Sequence, residues 1–368
     1  MKSRYDPSWE GCRVSSPEQA FEPIRDRSPH SAATEWLWSK LGDDHAWHSE
    51  QYAQLRGGKA LTSLIFLAIV DGQMTPPASE PEPRYKSRQR ILAQIRSSVA
   101  ADGSVGNDDP ELPEYPNYAT SLALQCLVLA GDPQDKQLIE RMTKYLVDQQ
   151  YCEATGFGPE HVCYGGWGFG GVRPVGGSPG HMDIGHTRHV LQALRAAGHD
   201  DPQTYARAER FLRLLQKHPS ETRRQPRPDG SPEQRAGSVS DRSPLGPDAP
   251  QDPQPPYDGG FYFSPVVLAA NKGGTVEHAG QKYFASYATA TCDGVLALLA
   301  CGVPQEDERI KAAADWLDRH PNLHYPEGVP KNTNENWGES ILFYHYAVRG
   351  RMLSGFELGG HMEERPPR

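Results

Sequence analysis

The sequence of 368 residues predicts an all-α fold, an α/α toroid of about five to six helical hairpins joined by Gly/aromatic-rich loops. Two observations lead to this prediction: an apolar segment recurs along the chain, and an amphipathic segment follows each copy. A third is that loops rich in glycine and aromatic residues precede the later copies.

The recurring apolar segment covers residues 118–131, 185–198 and 289–302, and every copy ends in glycine. Nearly all of its positions are apolar or small, which is typical of a helix buried on all sides. We expect these segments to be the inner helices of the fold. Each copy carries a threonine at the same offset, namely Thr120, Thr187 and Thr291.

The segment after each glycine differs in character. In residues 136–150, Ile139, Met142 and Leu146 recur at helical spacing among charged residues, which predicts an outer helix with one solvated face. An inner and an outer helix form a hairpin that must pack against copies of itself to bury its apolar face. Weaker copies occupy residues 60–70 with 86–100, and a last inner helix is expected at 339–352.

Two loops contain both glycine and aromatic residues: CYGGWGFGG at 163–171 and DGGFYF at 258–263. Glycine lets backbones approach closely, and aromatic side chains fill the gaps between hairpins. We interpret these loops as contacts between neighbouring repeats. They favour a closed ring over an open solenoid.

Charge and hydropathy exclude some classes of function. The net charge of −9 speaks against a nucleic-acid-binding surface. No apolar run reaches the roughly 18 to 20 residues that span a bilayer, and the first residues lack the apolar stretch of a signal peptide. We expect a soluble, cytoplasmic protein, with export left open should the chain begin earlier. Peripheral membrane contact and oligomeric state are also left open.

Composition also predicts the domain organisation. We expect a flexible segment at 1–30, a toroid domain at 31–358 and a flexible tail at 359–368. Residues 219–256 are rich in Pro, Ser, Asp and Gln, so we expect a disordered insertion there. Among the six cysteines, Cys152 and Cys163 flank one loop and are the pair that could form a disulfide.

With these features the chain resembles the prenyltransferase and squalene-oxidase repeat superfamily of α/α toroids. The resemblance covers about residues 55–355 apart from the insertion. It rests on the Thr-anchored inner helices, on the stretch from Gln150 to Trp167 ending in GGWGFGG, and on DGGFYF. The chain looks most like short, single-toroid bacterial members that are squalene-cyclase-like. The resemblance implies a central cavity that binds an isoprenoid or another apolar ligand.

Class II terpene cyclases of this superfamily carry an Asp-x-Asp-Asp-Thr motif whose middle Asp is the proton donor. Alignment on Thr187 places Asp183 on the first Asp, Gly185 on the middle one and His186 on the last. The motif is degenerate, and a histidinium is a poor acid for an alkene. Asp183 and His186 are the catalytic candidates that the resemblance implies, and the reaction would be an altered cyclisation, isomerisation or transfer.

The residues around this motif permit several interpretations. Asp183, His186 and His189 fall on neighbouring faces of a helix and could bind a metal together with His181. Alternatively they form a hydrogen-bonded polar mouth, with Asp183 as the N-cap. The N-termini of inner helices also suit an anionic group such as a diphosphate. Candidate ligand-binding residues are Tyr118, Tyr287, Arg188, His189 and Tyr344.

A zinc site is a further expectation, because the β subunits of protein prenyltransferases bind zinc through Asp, Cys and His. Cys292 and His345 can be laid on the family's Cys and His, and Asp293 follows directly where the family has its Asp two residues earlier. These are suitable ligand types for zinc with one open position. Adjacent helix positions point about 100° apart, however, so Cys292 and Asp293 reach one ion only with strain.

Three alternatives to isoprenoid binding remain at this stage. The first is a non-catalytic scaffold that binds another protein through the ring. The second is a zinc-dependent, prenyltransferase-like enzyme. The third is a carbohydrate enzyme with paired carboxylates, which ranks last because few acidic residues open the inner helices.

Overall fold

The computed structural model describes residues 29–49, 56–71, 82–106, 114–171, 180–223, 225–226, 228, 256–331 and 334–361. The chain divides into two compact units, Met1–Leu41 and Gly42–Arg368. In the first unit the described residues form helix α1 (Pro29–Ser39). All other elements belong to the second unit.

The second unit is mainly helical, as predicted, and inner and outer helices alternate along the chain. The inner helices are α2 (Lys59–Asp71), α4 (Pro116–Ala130), α6 (Ile184–Ala196), α8 (Ala288–Cys301) and α11 (Leu342–His361). The outer helices are α3 (Glu82–Ser97), α5 (Lys136–Asp148), α7 (Pro202–Leu215) and α9 (Glu308–Asp318), and the single turn α10 spans Trp337–Ser340.

Two short antiparallel hairpins lie between the helices. Strand β1 (Trp167–Gly168) pairs with β2 (Met182–Asp183), so Trp167 lies opposite Asp183. Strands β3 (Thr275–His278) and β4 (Gln281–Phe284) form the second hairpin. The first hairpin matters for the site because it brings the glycine-rich loop to the start of α6.

Each inner helix packs against the next inner helix, in the order α2, α4, α6, α8 and α11. Each of the first four also contacts the outer helix that follows it. The described residues thus contain four helical hairpins and a fifth inner helix, against the five to six hairpins predicted. The inner helices supply the core: α8, for example, is buried from Ala288 to Leu298.

A buried threonine near the start of each of the first four inner helices holds the preceding loop. Its hydroxyl accepts a backbone N–H from that loop, and an unpaired buried N–H would be costly. The sequence alignment found three of these threonines, and the structure adds Thr62. The pairs are Trp47 with Thr62 at 2.9 Å, Val105 with Thr120 at 2.9 Å, Trp167 with Thr187 at 3.1 Å, and Phe261 with Thr291 at 3.1 Å.

A buried glutamine after two of the outer helices provides a second repeated link. The amide nitrogen of Gln150 donates to the carbonyls of Gly165 and Thr204, both at 3.0 Å. Gln216 repeats this pattern one hairpin later, donating to Gly259 at 3.0 Å and Arg309 at 2.7 Å. Each glutamine therefore ties the loop that follows it to the next outer helix.

The structure describes the first residues of the segment 219–256, for which the composition predicts a disordered insertion. Glu221 and Arg223 are buried, and Arg223 Nε donates to the Glu221 carboxylate at 2.8 Å. Arg223 Nη2 also donates to the backbone carbonyl of Arg210 in α7 at 2.6 Å. Residues 229–255 lie outside the described residues, as do most of the two predicted flexible termini. Residues 29–30 belong to α1 and 359–361 to α11.

Cys152 and Cys163, the pair that could form a disulfide, are both buried, and no disulfide joins them. Different local turns fix their backbones. The N–H of Cys152 donates to the Thr155 hydroxyl at 2.9 Å, whereas that of Cys163 donates to the His161 ring at 3.1 Å. Among the described residues, no helix is both long enough and apolar enough to cross a membrane.

Candidate functional site

The site is built around the N-terminus of α6. Asp183 is the N-cap of this helix in extended backbone conformation, and its Oδ1 accepts the backbone N–H of His186 at 2.8 Å. A carboxylate at this position satisfies an unpaired donor of the first turn and faces the positive end of the helix dipole. The interpretation of Asp183 as a cap is therefore correct.

The second oxygen of Asp183 binds two imidazoles. His186 Nδ1 lies 2.8 Å from Oδ2, and His181 Nε2 lies 3.2 Å from the same atom. Burial alone would raise the pKa of Asp183, but the charge of His186 and the hydrogen bonds from His181 and His186 hold it below its ordinary value. Asp183 is thus an ionised acceptor at neutral pH and not a stored acid.

His186 has one ring nitrogen engaged and one available. Its Nδ1 binds Asp183, while its Nε2 is buried with no hydrogen-bond partner in the described part of the chain. The side chain is 13% exposed, so Nε2 lies in a largely enclosed space. An imidazole oriented by a carboxylate in this way can accept or release a proton at its other nitrogen.

Aromatic rings surround the His186 imidazole on several sides. The centroid of Phe169 lies 5.1 Å from that of His186, Tyr115 lies at 5.4 Å and Tyr118 at 6.4 Å. Phe169 also stacks on His181 at 3.6 Å. The imidazole therefore lies among aromatic rings contributed by α4, its N-cap residue and the glycine-rich loop.

A second polar cluster begins two residues further along α6. Arg188 Nε donates to Asp293 Oδ1 of α8 at 2.6 Å. The Tyr344 hydroxyl of α11 donates to Asp293 Oδ2 at 2.8 Å. Arg188 also donates to Gln192 at 2.8 Å and to His189 Nε2 at 2.6 Å. Three inner helices are joined by this network.

Burial dominates the electrostatics of the second cluster. It raises the pKa of Asp293, and the Arg188 guanidinium offsets part of that effect. Burial and the neighbouring Arg188 lower the pKa of His189 well below its ordinary value. His189 is therefore neutral, and its Nε2 is the acceptor that Arg188 requires.

Four of the five predicted ligand-binding residues lie together, and the fifth, Tyr287, lies at the start of α8. Tyr118 packs edge-on against His189 with centroids 4.6 Å apart. Arg188, His189 and Tyr344 share the second cluster, where they hold one another. Tyr287 is buried at the N-cap position of α8 and is 2% exposed. Of the two catalytic candidates, only His186 has an atom left to act on a ligand.

The predicted zinc ligands Cys292, Asp293 and His345 do not form a metal-binding group. The described residues contain no cluster of three His, Cys, Asp or Glu side chains suited to an ion. The Asp293 carboxylate is taken by Arg188 and Tyr344. Burial raises the pKa of Cys292 to about 12, which disfavours the thiolate that zinc binds.

Comparisons with known proteins provide no relative for this chain. No protein-family model, curated protein or solved structure matches it. The likeness to the toroid superfamily therefore rests on the sequence features described above. The chemistry of the site follows from the contacts of Asp183, His186 and Arg188.

Two features of this region escaped the sequence interpretation. Glu114 caps α2 from a distance: its buried carboxylate accepts the N–H groups of Lys59 at 2.9 Å and Ala60 at 2.6 Å. The pairing of Arg188 with Asp293 was also missed. Opposite charges on two helices that otherwise look fully buried are a signal that could have found this pair.

Proposed function

We propose that this protein is an α/α-toroid enzyme that binds an isoprenoid or similarly apolar ligand and transfers a proton at His186 Nε2. The single observation that carries the proposal is the Asp183–His186 pair, whose unpartnered nitrogen lies among aromatic rings.

Closure of the inner helices into a ring is part of the proposal. The inner helices pack consecutively, which is compatible with a ring. Burial raises the pKa of Tyr118 in α4, and the charge of Arg351 in α11 opposes that rise. The same charge adds to the effects of burial and Arg188 that lower the pKa of His189 in α6. This influence is expected if the last inner helix faces earlier ones across a central space.

An apolar ligand suits the surroundings of His186. Tyr115, Tyr118 and Phe169 present rings within 6.4 Å of its imidazole centroid. Such rings bury hydrocarbon and can stabilise a positive charge over their faces. These are the two properties that a prenyl chain or its allylic cation requires.

The proposed step is removal of a proton from the ligand and its return at another carbon, giving an isomerisation. His186 Nε2 takes the proton from an allylic carbon, and the C–H electron pair becomes a new C=C bond as the original double bond shifts. The far carbon of the allylic system then takes a proton from the imidazolium, which exchanges with solvent. Asp183 orients the ring and balances the imidazolium charge. Protonation of an alkene is not proposed, because Asp183 is ionised and Gly185 has no acidic proton.

The test has a binding arm and a chemical arm. We expect farnesyl diphosphate, geranylgeranyl diphosphate or squalene to raise the melting temperature of the full chain. In D2O, the bound ligand should acquire deuterium at a rate that falls by about 10²-fold or more in His186→Gln. His278→Gln, an exposed histidine on β3, is the matched control. No thermal shift with any of the three ligands would sink the proposal.

A second candidate is the non-catalytic scaffold, which one specific observation favours. Phe343 and Tyr346 lie one turn apart on α11 with exposures of 80% and 41%, an arrangement typical of a protein-binding surface. The scaffold hypothesis predicts that Phe343→Ser abolishes binding of a cross-linked partner without lowering the melting temperature. It also predicts no deuterium uptake by any of the three ligands.

A further inference from the structure

Outside the candidate site, four arginines surround one pocket next to the outer helices α7 and α9. The pocket has a volume of about 300 Å³ and includes two glutamates in its wall. Four guanidinium groups against two carboxylates leave a formal charge of +2. The arginines are Arg210, Arg213, Arg223 and Arg309, and the glutamates are Glu209 and Glu221.

Both carboxylates of the pocket are already engaged. Arg223 binds Glu221 with two hydrogen bonds of 2.8 Å, from Nε and Nη2 to different oxygens. Arg213 lies 2.5 Å from Glu209, its partner one turn earlier on α7. Neither glutamate is therefore left to neutralise the two remaining arginines, Arg210 and Arg309.

Arg309 is buried with too few acceptors. Its side chain is 3% exposed, and its Nε has no hydrogen-bond partner among the residues that the structure describes. Nη1 lies 3.3 Å from the Gln216 amide oxygen and 3.5 Å from the backbone carbonyl oxygen of Arg213. Nη2 lies 4.0 Å from Glu221, beyond hydrogen-bonding distance. A guanidinium that is buried with so few acceptors costs folding free energy unless an anion binds to it.

The electrostatics agree with that geometry. Burial and the nearby Arg213 lower the pKa of Arg309 to about 10, and Glu221 offsets this only in part. A neighbouring anion would stabilise the charged guanidinium and remove the repulsion between the arginines. The four arginines would thus be stabilised by an anion that binds in the pocket.

We propose that this pocket binds a phosphate dianion, either free or at the end of a phosphomonoester. Arg309 and Arg213 contact the oxygens directly, while Arg210 and Arg223 contribute charge. Planar guanidinium forks match the paired oxygens of phosphate, and a dianion cancels the formal charge of +2. The proposal is independent of the chemistry at His186.

The test is a calorimetric titration of the full chain with inorganic phosphate, at constant ionic strength in chloride. We expect saturable binding that weakens at least 10-fold in Arg213→Gln. Arg207→Gln is the matched control, since Arg207 lies on the same helix but pairs with Glu153 at 3.0 Å outside the pocket. Its affinity for phosphate should equal that of the wild type.

Further variants and ligands complete the test. Arg309→Gln should abolish phosphate binding, and an Arg210→Gln/Arg213→Gln double variant covers the case in which Arg309→Gln does not fold. Tighter binding of O-phosphoserine than of inorganic phosphate identifies a phosphomonoester as the ligand. No saturable binding to wild type, or equal affinity in wild type and the double variant, overturns the proposal.

Discussion

Lys217 lies at a position of the repeat that Tyr151 occupies in the preceding hairpin. Both residues follow the glutamine that ends an outer helix, and both exchange two backbone hydrogen bonds with the next glycine pair. The N–H of Tyr151 donates to the carbonyl of Gly166 at 3.1 Å, and its carbonyl accepts the N–H of Gly165 at 2.6 Å. In the same way, the N–H of Lys217 donates to Gly260 at 2.9 Å, and its carbonyl accepts the N–H of Gly259 at 3.0 Å. One repeat therefore buries a phenol where the next buries an ammonium group.

The ammonium group of Lys217 is poorly compensated. Its side chain is 1% exposed, and Asp258 lies 3.7 Å away without a hydrogen bond. Burial lowers the pKa of Lys217 below its ordinary value, although Asp258 opposes the effect. The charged form therefore destabilises the folded state relative to the unfolded chain.

We predict that Lys217→Met raises the free energy of unfolding at pH 7 by about 1 kcal/mol or more, because an apolar side chain replaces a weakly paired buried charge. The gain should shrink as pH rises from the lowered folded pKa of Lys217 towards 10.5, its ordinary value. In that window the unfolded wild type binds more protons than the folded protein, so wild-type stability increases with pH. Urea denaturation at pH 7 and pH 10 measures both effects.

The outcome that contradicts this prediction is a Lys217→Met variant less stable than wild type at both pH values. Lys144→Met provides the control, because Lys144 is 74% exposed and pairs with Asp148 on the surface of α5. Its substitution should change the free energy of unfolding by less than about 0.5 kcal/mol.

Single residues were predictable from sequence only where their partners are local. Asp183 was recognised as a possible N-cap because its acceptor role depends on the next three residues. The pairing of Arg188 with Asp293 joins residues 105 positions apart, and no local pattern encodes such a contact. The sequence shows a glycine where class II terpene cyclases carry their proton donor. That Asp183 is ionised could be inferred only from the positions of His181 and His186.

At the scale of elements, the inner helices were predicted closely because apolar composition and a terminal glycine are strong local signals. The expected segment at 118–131 corresponds to α4 (Pro116–Ala130) with Gly131 as its left-handed C-cap. The hairpin of β3 and β4 was missed. Its strands are short and β3 is mostly exposed, so they leave no alternation of apolar and polar residues.

The threonine in each of the first four inner helices is predicted to stabilise the preceding loop through its hydroxyl. In Thr187→Val the buried N–H of Trp167 loses its acceptor at 3.1 Å. We expect the free energy of unfolding to fall by about 1 to 3 kcal/mol. Thr187→Ser keeps the hydroxyl and should lose less. Equal losses in the two variants, measured by urea denaturation, would show that the hydroxyl is unimportant.

Two glycines allow a matched test of loop packing. Gly165 has φ +91°, and a Cβ there would collide with the backbone carbonyl of Arg207 in α7. Gly131 has φ +64°, and a Cβ there would meet no atom within 4 Å. We expect Gly165→Ala to cost about 3 kcal/mol or more and Gly131→Ala only about 1 kcal/mol. Thermal unfolding of both variants distinguishes collision from backbone strain alone.

At the scale of the whole molecule, sequence repeats predicted the alternation of helices but not what fills the space between them. The expectation of a central cavity for an apolar ligand came from the resemblance to α/α toroids. In the structure, the buried side chains of Arg188, Asp293 and Tyr344 join α6, α8 and α11. Polar contacts of this kind require specific partners, so they restrict the helices to one arrangement more strongly than apolar packing does.

This cross-helix network leads to the last prediction, a double-mutant cycle on Arg188 and Asp293. Arg188→Met should lower the free energy of unfolding by about 3 to 5 kcal/mol, because Asp293 then stays buried without its cation. Asp293→Leu should cost a similar amount by leaving Arg188 unpaired. The double variant should recover most of the loss, since both desolvated charges are gone.

The coupling energy from this cycle decides how the inner helices are held. A double variant as stable as wild type means that the ion pair selects the arrangement of α6 and α8 without adding net stability. Additive losses would mean that the two charges do not depend on each other, which is incompatible with their separation of 2.6 Å. The rate at which the bound ligand takes up deuterium in the double variant then tests whether the arrangement of the helices also matters for the site. His186 lies only two residues before Arg188 on α6.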